Sequence, residues 1–258
     1  MNDPKSYQKV NNMPRKDVNE ILQQSPIKWK EKNARIMDIG CGDGSVTMEI
    51  WQKFMPKNFL ELVGCDINEN NIIFAQEHYG SENVKFIWLD IQGGVPDELK
   101  GRFDHILSSY TFHWVMEQEV AFTNVYDMLA EGGNCLIIFL GRNTVYEIYD
   151  RLSRQLKWNE DLTHVRTKFL SPYFDSKDPE SELRNTMERI GFKDINVRAP
   201  LKTFIFDGGV NEFRDLMKCL NPFDSLKAKW EEFMDDYEKL NPDAGTIEYR
   251  LIIAYGSK

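Results

Sequence analysis

Between residues 34 and 140, short apolar runs alternate with stretches whose apolar positions recur at helical spacing. "RIMDI" precedes a helix predicted over 45–55, and "LELVGCD" precedes one from about Glu69 to His78. "VKFIWLD" and "FDHILSS" read as the next two strands, then a helix across "QEVAFTNVYDML" and the turn "EGGN" lead into "NCLIIFL". Strands alternating with helices imply right-handed crossovers and a mainly parallel sheet, so the expected fold class is α/β. "VKFIWL" and "CLIIFL" are almost continuously apolar, as strands covered on both faces are.

Past residue 141 the pattern loosens. "TVYEIYDRLSRQLKW" predicts an amphipathic helix, "SPYFDSKDPE" a polar loop, and "PESELRNTMERIGF" a helix closed by Gly191. "KDINVRAPLKTFIF" reads as a strand or hairpin and "TIEYRLIIAYGSK" as a last strand, with "WEEFMDDYEKL" between them as a solvated acidic helix face. The first 30 residues form a polar, partly helical arm that is expected to cover a site.

Composition narrows the partners. A net charge of −9 argues against a surface that tracks phosphates, so nucleic acid is not an expected partner. No run reaches the roughly 18 apolar residues of a membrane span. "MNDPKSYQKVNN" lacks the apolar core of a signal peptide. Cys41, Cys65, Cys135 and Cys219 are scattered without CxxC spacing; the first three lie in or beside predicted strands, which reads as reduced, structural cysteines of a cytoplasmic protein, and no metal site is expected.

The chemistry concentrates in "MDIGCGDGSV". A strand, a glycine turn and a helix N-terminus grip nucleotide-like ligands. A dinucleotide fingerprint, however, needs GxGxxG with a pyrophosphate at the helix end. Here Gly40, Gly42 and Gly44 alternate, Ser45 stands at the third fingerprint position, and Asp38 and Asp43 would repel a pyrophosphate. The acids suit a ligand with a cationic end and hydroxyls, which describes S-adenosylmethionine (SAM). Asp66 closes the second strand, where a carboxylate accepts ribose hydroxyls. Asp90 closes the third, beside the adenine amino group, with Ile91 as an apolar wall. Any one of these acids alone reads as a turn or cap residue. Three at successive strand ends lie where open α/β sheets bind ligands. Ile67 and Ser108, at the same edge, complete the expected cofactor set.

These residues resemble those of the class I SAM-dependent methyltransferases, which implies a Rossmann-like, seven-stranded, mostly parallel sheet with an antiparallel last strand and helical cap insertions. "MPKNFLELVGCDI", "FDHILSSYTFHWV", "CLIIFLG", "FLSPYFDSKDPE", "MERIGF" and "NPF" further resemble the insect juvenile hormone acid methyltransferases in order and spacing. On that resemblance, residues 1–258 form a single methyltransferase domain: an N-terminal arm (1–30), a SAM-binding core (34–141), a cap segment (142–190), and C-terminal strands and helices (191–258). The resemblance implies methylation of the carboxylate of farnesoic acid or juvenile hormone acid, with S-adenosylhomocysteine (SAH) as product. The chain departs from the family at Pro14, where a Gln usually holds the substrate carboxylate, and at Ser109, where Phe is usual. The part after "NPFDSLKAKW" is also shorter. The departures suit a divergent paralogue with low turnover on juvenile hormone acid.

A carboxylate is already ionised at pH 7, so its methylation requires alignment and dry walls and no general base. "SSYTFHW" follows the fourth strand. Trp114 offers a single indole donor from an apolar body and His113 a donor or orienting group; both are the expected catalytic residues, with core packing as the alternative. Tyr7, Pro14, Tyr110 and Trp114 form the expected substrate set, with Gln8 beside Tyr7 in the arm. The expected partner is a small isoprenoid or fatty acid. The competing function is a weakly active or inactive methyltransferase-fold protein that binds SAM and lipid. A nucleic-acid methyltransferase would need a basic groove or an N/D-PPY-type motif, and the sequence has neither.

Overall fold

The computed structural model describes residues 8–24 and 27–258. Among these, eight strands build one sheet: β1 (Arg35–Ile39), β2 (Glu61–Asp66), β3 (Val84–Trp88), β4 (Phe103–Ser109), β5 (Leu129–Asn143), β6 (Lys193–Arg198), β7 (Leu201–Ile205) and β8 (Thr246–Ser257). Their spatial order is β3-β2-β1-β4-β5-β8-β6, with β7 also on β8. The first five are mutually parallel, and β8 runs antiparallel to β5. Strand order therefore reverses between β1 and β4, which opens a crevice at their carboxyl ends.

The helices are α1 (Asn12–Gln24), α2 (Ser45–Glu49), α3 (Glu69–Tyr79), α4 (Gln118–Met128), α5 (Thr144–Ser153), α6 (Val165–Lys168), α7 (Pro179–Ile190), α8 (Gly209–Leu220) and α9 (Trp230–Leu240). Alternate strand residues feed two cores, as the two-residue period of a pleated strand requires. Ile36, Leu62, Leu107 and Leu136 pack with α1, α2, α3, α5, α8 and α9. Met37, Val63, Ile106 and Ile137 pack with α4 and α7 on the other face. The strands are apolar throughout because each face has its own helical layer.

Several elements differ from their sequence reading. The count of eight against an expected seven arises because β6 and β7 are one path along β8, interrupted at Ala199–Pro200. Proline has no N–H for the ladder, while its carbonyl still accepts from Leu251 N at 3.0 Å. The segment is thus a broken strand, and the hairpin does not form. The helix predicted over 45–55 stops at Glu49, and a tight turn over Trp51–Lys53 buries Trp51 completely. "EGGN" is absorbed into β5 as an irregularity: Leu129 pairs with Phe103, but Asn134 already pairs with His105. The helix of 144–158 ends at Ser153. Helix α8 escaped the reading, although Phe213, Leu216, Met217 and Leu220 repeat at helical spacing. The acidic helix α9 is present and two-sided, with Trp230, Phe233, Met234 and Tyr237 buried.

Candidate functional site

The turn after β1 is built by its glycines. Gly40, Gly42 and Gly44 all have positive φ. At Gly40 a Cβ would fall 2.0 Å from Thr111 Oγ1, so no other residue fits. The loop's amides are turned inward: Gly40 N and Cys41 N donate to Cys65 O at 2.7 and 2.9 Å, and Gly42 N donates to Asp66 Oδ2 at 3.0 Å. Donors committed in this way cannot cradle a phosphate, which agrees with the absence of a dinucleotide fingerprint.

The carboxylates beside the loop are buried and differently served. Asp38 Oδ2 accepts from Thr47 Oγ1 at 2.6 Å, whereas its buried Oδ1 has no partner. Burial raises its pKa to about 7; the Thr47 hydroxyl opposes that rise and the Asp66 charge adds to it. An orphaned carboxylate oxygen in such a place fits a cationic ligand group, and the ammonium of SAM is one. Asp43 is also raised by burial, offset by the Ser45 amide and hydroxyl and by Gln8. Asp66 is raised by burial against the amides of Asn68 and Gly42. Its Oδ1 takes Asn68 N at 2.8 Å, which leaves lone pairs for a hydroxyl. These residues fit SAM at the ammonium and the ribose.

One cavity of about 420 Å³ runs from this cluster into the cap. Of the predicted cofactor residues, Asp38, Gly40, Gly42, Asp66, Ile67, Asp90 and Ile91 line it, as does Asp43. Two do not. Gly44 lies against Ala75, Tyr79 and Phe86, each 3.1–3.2 Å from where its Cβ would be, so it serves the packing of α3 on β3. Ser108 is fully buried and donates to Ile39 O at 2.7 Å, tying β4 to β1; Ser109 lines the cavity instead.

The same cavity brings together His113, Trp114, Tyr110 and Pro14; Tyr7 lies outside the described residues. Burial holds the His113 pKa down to about 3, so its imidazole is neutral at physiological pH. The Trp114 ring lies 5.1 Å from His113 and 5.7 Å from Phe169 in the cap. Beyond Trp114 the walls are apolar, with Leu140, Val145, Tyr146, Phe169, Leu216, Met217, Leu220 and Ile247 drawn from β5, α5, the loop after α6, α8 and β8. The described part of the arm covers this limb with Met13 and Pro14, and Asn11 Nδ2 donates to Ser45 Oγ at 3.3 Å beside the glycine turn. Sequence reading missed Thr47, Thr111 and the α8 residues. It also missed Lys168, the one Lys or Arg among the described residues that line the cavity. No group of three or more His, Cys, Asp or Glu among the described residues is arranged for a metal ion, and no helix there is long and apolar enough to cross a membrane.

A family model described as a methyltransferase domain matches residues 30–178. The fold is shared with phosphoethanolamine N-methyltransferase 2 of Haemonchus contortus, solved in complex with SAM, at a TM-score of 0.62, 15% identity, and coverage of 99% of this chain and 56% of that one. Fold, loop and domain match together define a SAM-dependent methyltransferase. The chain is 40% identical to the juvenile hormone acid O-methyltransferase of Bombyx mori, over 100% of this chain and 98% of that protein. It is 34% identical to that of Drosophila melanogaster, over 100% and 93% respectively. The chain belongs to the juvenile hormone acid O-methyltransferase family.

Proposed function

We propose that this methyltransferase esterifies the carboxylate of juvenile hormone acid, farnesoic acid or a related fatty acid, releasing SAH. The observation that carries the reading is one cavity with two unlike ends: four aspartates around a glycine turn, then an aromatic and aliphatic limb under the cap. Bound SAM supplies an electrophilic methyl group on a sulfonium. Asp38 receives the ammonium, Asp66 the ribose hydroxyls, and Asp90 with Ile91 the adenine. The limb holds an apolar tail and excludes water, stripping the carboxylate of hydration. Trp114 donates to a carboxylate oxygen, and neutral His113 orients it; neither needs to remove a proton. Lys168 adds a positive charge on the rim of a cavity whose acidic lining residues are four aspartates. Identity of 40% and 34% along the whole chain to two proteins named juvenile hormone acid O-methyltransferase supports the acceptor, and an inactive SAM- and lipid-binding role is not favoured.

Incubating the protein with methyl-labelled SAM and a panel of farnesoid and straight-chain acids tests the reading. Labelled methyl esters of the farnesoid acids are expected. Label on none of the acids would overturn the acceptor assignment.

A further inference from the structure

The most heavily engaged acid near the cavity is one that touches neither expected ligand. Asp17 in α1 is 1% exposed, and groups from β7, β8 and the turn after β4 converge on it. Its Oδ2 accepts from the Tyr110 hydroxyl at 2.5 Å and the Tyr249 hydroxyl at 2.9 Å; its Oδ1 meets the Lys202 ammonium at 2.6 Å. Glu20, the next acid along α1, takes the same ammonium at 2.8 Å. Docking α1 would need only its apolar side chains, Met13, Val18, Ile21 and Leu22. A buried ion pair is weak evidence of stabilisation and better evidence that a geometry is being specified.

The specified geometry lies at Tyr110. Its φ of 57° is left-handed, a conformation that a bulky residue keeps only when its surroundings enforce it. The backbone N–H of Tyr110 still donates to Ile138 O at 2.7 Å, so β4 stays paired with β5 through the turn. The turn sets Thr111 over the glycine loop, where its hydroxyl donates to Gly40 O at 3.1 Å. Tyr110, Thr111, Gly40, Met13 and Pro14 all line the cavity. A continuous path of hydrogen bonds and backbone therefore runs from the arm, through Asp17 and Tyr110, to the cofactor turn.

We propose that Asp17 is a positioning residue: it clamps α1 and holds Tyr110 in its left-handed turn, so that the substrate cover and the cofactor loop move as one unit. The inference rests on SAM binding at the glycine loop and on no particular acid. Its test is amide hydrogen exchange with and without saturating SAM. In the unaltered protein SAM slows exchange across 12–24 together with 109–111. In Asp17→Asn, SAM still protects 109–111, but its protection of 12–24 falls at least about fivefold. Tyr110→Phe, which leaves the carboxylate with Lys202 and Tyr249, uncouples the arm in the same way and serves if Asp17→Asn folds poorly. Tyr249→Phe keeps the Asp17–Tyr110 contact and keeps the coupling. With any acid that is esterified, Asp17→Asn lowers kcat about tenfold through misalignment. Undiminished protection of the arm in both Asp17→Asn and Tyr110→Phe, or no protection of it in the unaltered protein, overturns the proposal. Failure of every acid to react bears on the acceptor assignment alone, since the exchange measurement needs only SAM.

Discussion

The two ends of the cavity are built by different means. At the cofactor end a few adjacent residues do most of the work: one turn whose amides bond inward to β2, and single aspartates at the ends of β1, β2 and β3. Position there is set by backbone, and a side-chain change is felt by one contact. At the substrate end the walls come from α1, β5, α5, α8 and β8, each giving one to three side chains. Position there is set by how separate helices pack, so sequence can change without disturbing the sheet. The cofactor end is accordingly fixed by few residues, and the substrate end takes in Pro14 and Ser109, the two positions at which the sequence is expected to depart from its family; both line the cavity.

The sharpest way to break that contrast is Asp66→Ala. The carboxylate holds Gly42 N and Asn68 N and faces the cavity. Loss of charge-assisted hydrogen bonds is expected to weaken SAM by about 1.5–3 kcal/mol, roughly 10–150-fold. Calorimetry reads this directly, and an unchanged dissociation constant would remove Asp66 from the cofactor site.

Pro14→Gln tests the other end. Pro14 is the third residue of α1, where a missing N–H interrupts no helical bond, and it is buried on the cavity wall. An amide there adds a donor for one carboxylate oxygen. Turnover on a farnesoid acid is expected to rise about tenfold by better alignment, with the SAM dissociation constant unmoved. A change in SAM affinity without a change in turnover would show that α1 belongs to the cofactor end.

The same contrast explains what the sequence disclosed. The glycine turn and the acids at strand ends are contiguous signals attached to strong apolar runs, so the order of elements and most residues lining the acidic end of the cavity were legible. Gly44 and Ser108 misled because packing needs a glycine or a buried serine at that edge as readily as a ligand does. The substrate walls were hardly legible, since nothing local says that Met13, Val145, Leu216 and Ile247 meet. The period in α8 was readable; its role as a wall was a matter of tertiary packing. Lys168 lay in a polar stretch where one lysine resembles any other.

Asp38 makes the cofactor end sensitive to pH. Burial raises its folded pKa to about 7 from an ordinary 3.8, so the free protein is favoured by its protonated form. That contribution to stability is complete below about pH 4 and is lost as pH rises through 7. A ligand ammonium selects the ionised form, so SAM affinity should move the opposite way, rising roughly eightfold from pH 6 to 7.5 with release of a proton. Calorimetry in buffers of different ionisation enthalpy measures both. Asp38→Asn should flatten the profile, and a flat profile in the unaltered protein would separate Asp38 from the ammonium.

The smallest expected effect belongs to Lys168, the last residue of α6, exposed on the cavity rim. Four aspartates line the same cavity, so an incoming carboxylate meets mostly like charge, and one ammonium lowers that barrier. Near water such a charge is worth about 1 kcal/mol or less, and salt screens it over roughly 10 Å at 0.1 M. Lys168→Ala should therefore raise KM for the acid about two- to fivefold at low ionic strength, chiefly through slower capture. The difference should shrink towards nothing at 0.5–1 M salt, where the screening length falls to about 3–4 Å. SAM carries its own positive groups, so its affinity should hold steady or improve slightly. A KM penalty that persists at high salt would mean that Lys168 touches the bound carboxylate directly. The substrate end would then have a fixed polar anchor of its own, and the contrast with the cofactor end would narrow.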